Sequence, residues 1–253
     1  MSKIVAIIQA RMGSSRFPKK TLELLAGQPM LGFLVDRLKK SRYLNNIVLA
    51  TTTNKSDDVL CQWAGSSKLP FFRGSESDVL DRYFACAKLF KADIIVRITA
   101  DDPLKDPHVI DYAIETFLNQ NVDYVSNTLE PTFPEGIDVE VFSFDALKIA
   151  SNEAKILSER EHVTPYIWKN IEKFSVSNFK DQSNNSDIRL TVDYPSDLMM
   201  LNKINDLKSN LKSMTYKEII DFLKENQHIN AINQGVIRNE GYIKTLAEES
   251  LHE

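Results

Sequence analysis

Apolar residues in this chain fall into two kinds of pattern. Residues 3–9 (KIVAIIQ), 46–52 (NIVLATT) and 93–99 (DIIVRIT) are short, β-branched and nearly continuous. That is the signature of strands covered on both faces. Between and after them the spacing is helical. A helix is expected from Pro29 to Lys40, because proline suits a first turn and basic residues suit the last. A more polar helix follows through Asp57 to Trp63. Val79, Leu80, Tyr83, Phe84, Ala87 and Phe90 share one stripe, as do Val109, Ile110, Ala113, Ile114, Phe117 and Leu118. Strand and helix alternate up to about residue 127, which predicts an α/β fold with a parallel, helix-covered sheet.

Beyond that point the pattern changes. Residues 136–143 (GIDVEVFS) alternate strictly, 158–168 (SEREHVTPYIW) look helical, and 173–179 (KFSVSNF) and 187–193 (DIRLTVD) look like further strands. The last fifty residues look helical and end in a charged tail. No repeat or flexible linker divides the chain. One domain is therefore expected over 1–240, with a small β-arm inserted around 130–180 and a charged tail at 241–253.

Charge then narrows the partners. With 31 basic against 35 acidic residues the net charge is −4, which argues against a sequence-independent nucleic-acid binder. Cys61 and Cys86, the only cysteines, are too isolated for a disulfide framework or a zinc site, and fit a reducing cytosol. The apolar start is too short for a signal segment and no run approaches a membrane span, so a soluble cytoplasmic protein is expected.

Against that acidic background, residues 9–20 (QARMGSSRFPKK) place Arg11, Arg16, Lys19 and Lys20 directly after a buried strand. Open α/β sheets bind ligands at such carboxyl ends. Amides near Gly13-Ser14-Ser15 can form an anion nest and the cations can neutralise phosphates. A solvated basic turn would explain one cation better than four. The loop matches neither the Walker A pattern nor Gly-x-Gly-x-x-Gly.

Two acidic strand ends follow. Asp101 and Asp102 close 97–104 (RITADDPL), and Asp193 closes 189–195 (RLTVDYP). Carboxylates at such ends suit Mg²⁺, which takes its remaining ligands from phosphates and water. Each aspartate alone is as well explained by turn capping or helix entry. Together with the basic loop they describe a nucleotide–metal site.

These motifs carry a family resemblance. The run Ala10-Arg11-x-x-Ser14-x-Arg16-x-Pro18-x-Lys20 resembles the signature loop of sugar-activating cytidylyltransferases, the group that includes the 3-deoxy-manno-octulosonate and acylneuraminate enzymes. FRGSESDVLDRY, RITADDPLKDP, EGIDVEVFS, REHVTPYIW, RLTVDYPSDL and IRNEGY resemble its spore-coat-polysaccharide branch, so the likeness spans nearly the whole chain. It implies a Rossmann-like, family-A glycosyltransferase-like fold: three layers around a mixed, mainly parallel seven-stranded sheet, with a dimer-forming arm. It implies CTP held by Arg11, Ser14, Arg16 and Lys20, with Ala10 and Gly13 in the same loop. Arg73, Ser77 and Asp78 are placed near the nucleoside. The metal aspartates map onto Asp101 and Asp193, although Ala100 replaces the family's usual glycine and Asp102 fills a variable position.

For the acceptor, Asp138 and Glu140 share one face of an alternating strand and are expected on sugar hydroxyls. The plain alternative is the wet face of an edge strand. His162 can contact the sugar, and Arg160 or Arg189 can pair with an acidic group on it. The expected reaction is Mg²⁺-dependent transfer of CMP from CTP to a sugar, with one or two ions and release of pyrophosphate, by a homodimer in surface-polysaccharide synthesis. An acidic keto-sugar of the nonulosonic or octulosonic kind is the expected acceptor. A sugar or polyol phosphate giving a CDP-linked product, a family-A glycosyltransferase, and a nucleotide-sensing module without turnover are the alternatives.

Overall fold

The structure is a computed structural model and describes residues 2–251. Its main sheet has seven strands: β1 (Ile4–Gln9), β2 (Asn46–Thr52), β3 (Phe71–Gly74), β4 (Ile94–Thr99), β5 (Tyr124–Ser126), β6 (Glu140–Ser143) and β7 (Val176–Asn178). They lie in the order β3-β2-β1-β4-β6-β5-β7. All neighbouring pairs are parallel except the two made by β6, which is antiparallel to both β4 and β5. A two-stranded hairpin, Leu24–Leu25 with Gln28–Pro29, stands apart from this sheet.

Alternation within the apolar strands builds the layers. Ile4, Ala6 and Ile8 of β1 face one core, shared with α1 (Met30–Leu38), α2 (Asp58–Ser66), α4 (Pro107–Gln120), α8 (Pro195–Lys208), α9 (Tyr216–Glu225) and α10 (Gln227–Asn230). Val5 and Ile7 face the other, under α3 (Val79–Leu89), α5 (Phe144–Glu153) and α7 (Pro165–Lys169). The two expected helical stripes are the buried faces of α3 and α4, except that Phe84 and Phe90 are half-buried, Phe90 just past the end of α3, and Leu118 is exposed. The helix expected over 158–168 is broken into α6 (Leu157–His162) and α7 at Val163, whose φ of 72° is strained for a β-branched residue.

Within the segments expected in the β-arm, 140–143 is an inner strand of the main sheet and 176–178 is its edge. Residues 187–193 form no ladder strand and make one isolated bridge, Glu135 with Arg189. Period-2 alternation records a two-faced strand but not which sheet it joins. The tail expected from 241 is helical over most of its length. There α11 (Glu240–Glu249) packs against α6, where Glu249 accepts a hydrogen bond from the Ser158 amide.

The topology brings the motifs together. Because β6 runs against its neighbours, its first residue, Glu140, lies at the carboxyl edge where β1 and β4 end. At that edge Gly136 adopts φ 99°, and a Cβ there would sit 2.6 Å from the Thr191 nitrogen. Only glycine lets the segment before β6 lie this close to the segment that ends at Asp193.

Candidate active site

The basic loop is fastened at both ends. The Met12 amide donates to Asp57 Oδ1 at 2.8 Å and the Lys19 amide donates to the Met12 carbonyl at 3.2 Å. Lys19 takes a left-handed φ of 64°, and the chain then turns into a short helix that buries Lys20. Lys20 Nζ donates to Asp193 Oδ1 at 2.8 Å, to Asp101 Oδ2 at 3.0 Å and to the Val192 carbonyl at 2.8 Å. Burial works against its charge, but Asp101 and Asp193 outweigh that and raise its pKa above the ordinary lysine value.

The two aspartates are adjacent because their backbones are. The Val192 amide donates to the Asp101 carbonyl at 2.8 Å, locking the end of 187–193 onto the turn after β4. Burial would raise the Asp101 pKa, but Lys20 overrides it and holds the carboxyl at about 2. Asp102 is a different case. It is buried and accepts from Thr99 Oγ1 at 2.7 Å and from Lys105 Nζ at 2.8 Å, so it braces the turn and leaves Asp101 as the open carboxylate. Arg16 completes the cluster, with Nη2 2.7 Å from Asp193 Oδ1 and Nη1 2.5 Å from Glu240 Oε2. Its guanidinium lies over the Tyr194 ring, whose hydroxyl also donates to Glu240.

Two cavities meet at this cluster. The larger, about 760 Å³, lies between the basic loop, including Ala10, Arg11, Ser14 and Arg16, and α11. The second, about 420 Å³, runs along β4, the start of β6 and the α6–α7 break. Arg16, Thr99, Asp101, Asp193 and Glu240 line both. A group in one cavity therefore meets a group in the other beside the two aspartates.

The remaining expected residues divide sharply. Arg11 lines the larger cavity and makes no ion pair among the described residues. Gly13 is exposed, and a Cβ there meets nothing within 4 Å. Asp138, Glu140 and His162 line the second cavity, and each also has a partner within the protein. Asp138 pairs with Arg238, and Glu140 pairs with Arg97 while accepting from Tyr124 and Thr164 hydroxyls. Asp138 keeps 22% of its side chain exposed and Glu140 11%. His162 Nε2 is 3.0 Å from Thr245 Oγ1, and burial followed by the Arg97 charge lowers its pKa to about 4.

Five of the expected residues stand away from both cavities. Arg73 is spent on Asp58 and the carbonyls of Thr52 and Asn54. Ser77 is exposed, and Asp78 caps α3 and pairs with Arg160, which also binds the Ser151 carbonyl. Arg189 is buried among Glu135, Asp193 and Asp197. Arg160 and Arg189, expected near the acceptor, are both used in holding other groups, and Arg189 holds Asp193. Sequence reasoning misses Arg97, Glu240 and Tyr194. Glu240 and Tyr194 each lie within a family motif, IRNEGY and RLTVDYPSDL, but only the fold sets them on Arg16.

A Rossmann-like sheet with a cation loop and an acidic pair at its carboxyl edge defines a nucleotide-dependent transferase. The chain belongs to the cytidylyltransferase family, whose model matches residues 5–232. A Methanocaldococcus jannaschii protein of uncharacterized function is 41% identical over 92% of this chain and 96% of its own length. The Bacillus subtilis spore coat polysaccharide biosynthesis protein SpsF is 32% identical over 89% of this chain and 96% of its own. A solved cytidylyltransferase from Leptospira borgpetersenii superposes with a TM-score of 0.88 at 33% identity, covering 94% of this chain and all of that one. Among the described residues, no helix is long and apolar enough to cross a membrane.

Proposed function

We propose that this protein transfers CMP from CTP to the hydroxyl of an acidic keto-sugar in surface-polysaccharide synthesis, releasing pyrophosphate. The observation that carries this is the convergence of Lys20, Asp101 and Asp193 where the two cavities join. In the larger cavity Arg11, Arg16 and Lys20 bind the triphosphate. The sugar occupies the second cavity, and its hydroxyl oxygen attacks the α-phosphorus. The new C–O–P bond forms as the bond to the β-phosphate oxygen breaks, and the hydroxyl proton is lost to solvent. Cations on the departing pyrophosphate are the chain's main contribution to such chemistry.

The acidic pair fits a divalent ion. Asp101 and Asp193 present hard oxygens that already converge on one cationic nitrogen, with further ligands left to phosphate and water. Bound there, Mg²⁺ would supply Lewis-acid charge stabilisation at the phosphates. Lys20 and Arg16 now neutralise the carboxylates that the metal takes. Nucleotide binding would then be an exchange: with Asp101 and Asp193 holding a divalent ion, Lys20 and Arg16 would be free to meet the triphosphate. Assembly as a homodimer rests on the family resemblance, and light scattering checks it.

Pyrophosphate release from each nucleoside triphosphate, with a panel of acidic, neutral and phosphorylated sugars, tests this function. The expected result is turnover with CTP and an acidic keto-sugar, giving a product with a single phosphorus resonance. Two coupled phosphorus signals in the product would show a CDP-linked acceptor instead.

A further inference from the structure

We propose that Arg97 recognises the carboxylate of the acceptor at the floor of the second cavity. This rests on the acceptor proposed above. With Arg160 and Arg189 tied elsewhere, the cavity still contains one guanidinium with an open edge.

The antiparallel register of β4 and β6 sets Arg97 directly opposite Glu140. Arg97 Nη1 donates to Glu140 Oε2 at 2.5 Å, and Glu140 Oε1 accepts from the Tyr124 hydroxyl at 2.8 Å and Thr164 Oγ1 at 2.5 Å. Glu140 is saturated, so it works as a clamp that fixes the guanidinium from one side. Among the described residues nothing accepts from Arg97 Nη2, and that atom is not among the sealed, unpartnered ones, so it reaches the cavity. Nε, by contrast, is buried without a partner. The same holds for Nε of Arg82 and of Arg238, so it is the open Nη2 edge, aimed by the Glu140 clamp, that marks Arg97 as a binding residue.

The other basic groups of the cavity are occupied. Lys105 Nζ is held by Asp102 and the Asp138 carbonyl, and His162 is neutral near pH 7 and engaged by Thr245. Arg16 belongs to the triphosphate. The choice of a carboxylate over a phosphate follows from charge. Asp101, Asp138, Glu140 and Asp193 also line this chamber, so a dianion meets more repulsion than a monoanion. In a keto-sugar acid the carboxylate sits on the carbon that bears the attacking hydroxyl. Arg97 and Asp101 line the same cavity, as that acceptor requires.

The test compares wild type, Arg97→Gln and Arg97→Lys with 3-deoxy-manno-octulosonate, N-acetylneuraminate and their C1 amides as acceptor probes. Wild type should favour its better acid over the matching amide by about 100-fold or more in kcat/KM, since the amide leaves Arg97 without its counter-charge. Arg97→Gln should bring that ratio to within about threefold, chiefly through the KM of the acid, while calorimetric CTP affinity stays unchanged. Arg97→Lys should restore part of the ratio. A folded Arg97→Gln that keeps the acid-over-amide preference overturns the proposal and leaves the acceptor class standing. If the glutamine variant does not fold, an unchanged ratio in Arg97→Lys overturns it equally. Wild type that turns over a neutral or phosphorylated sugar but neither acid removes the acceptor class and this inference with it, with CTP binding intact.

Discussion

The two cavities hold similar numbers of charged groups but tie them differently. Around the larger one, Asp193 is shared by Arg16, Lys20 and Arg189, and Lys20 is shared by two aspartates. Each partner has an alternative, and Arg16 and Asp101 keep about 30% of their side chains exposed. Around the second cavity the pairs are one-to-one: Arg97 with Glu140, Arg238 with Asp138, Lys105 with Asp102. Glu140 keeps only 11% exposure and is clamped by two hydroxyls as well. A shared network can trade protein partners for a metal and phosphates. A locked pair, buried with its hydrogen bonds filled, keeps its geometry and so can discriminate between acceptors.

The largest effect should come from the residue shared most. Asp193→Asn should lower kcat/KM by at least about 10³-fold, roughly 4 kcal/mol of transition-state stabilisation, while the thermal midpoint changes little. Near-wild-type turnover of that variant would take Asp193 out of the exchange.

Substitution in the locked cavity should act on stability instead. Glu140→Gln strands the Arg97 charge in a buried position and should cost about 3–5 kcal/mol of unfolding free energy, measured by urea denaturation. Lys20→Ala offers the sharper contrast. It takes from Asp101 its counter-charge while Asp193 keeps Arg16 and Arg189, so it should be destabilised in chelator by about 1–3 kcal/mol and recover with millimolar Mg²⁺. If Glu140→Gln is recovered by Mg²⁺ to the same degree, the two regions do not differ as described.

The smallest effect is a slope. The His162 pKa is lowered to about 4 from an ordinary 6.5, by burial first and Arg97 second. Between those values the unfolded chain binds the proton and the folded one does not. Stability should therefore decline as pH falls from about 6.5 towards 4. His162→Asn should flatten that part of the curve, and a slope identical to wild type would show that His162 is not held neutral.

Much of this contrast has a trace in the amino-acid sequence. The strands β1, β2 and β4 and the stripes of α3 and α4 are legible there because burial on both faces, or on one helical face, leaves a periodic mark. The loop cations are legible for a related reason: four of them directly after an apolar strand have few structural explanations. The arginines in later motifs mislead because the same residue type also braces buried turns. Nothing local distinguishes Arg189, which braces Asp193, from Arg97, which opens on the cavity. That difference depends on which strands become neighbours. Segments between 136 and 193 are hard to place for the same reason, since alternation is local and sheet membership is not. Glu240 lies 224 residues from Arg16, and only the packing of α11 joins them.

The central claim is that the loop cations and the acidic pair exchange partners when nucleotide and metal bind together. Calorimetric titration of CTP into the wild-type protein, once with millimolar Mg²⁺ and once in chelator, tests it most directly. The account predicts that affinity in chelator is weaker by about 100-fold or more, because the triphosphate must then strip Lys20 and Arg16 from the acidic pair, leaving Asp101 no cation and Asp193 only Arg189. Equal affinity in the two titrations would contradict it.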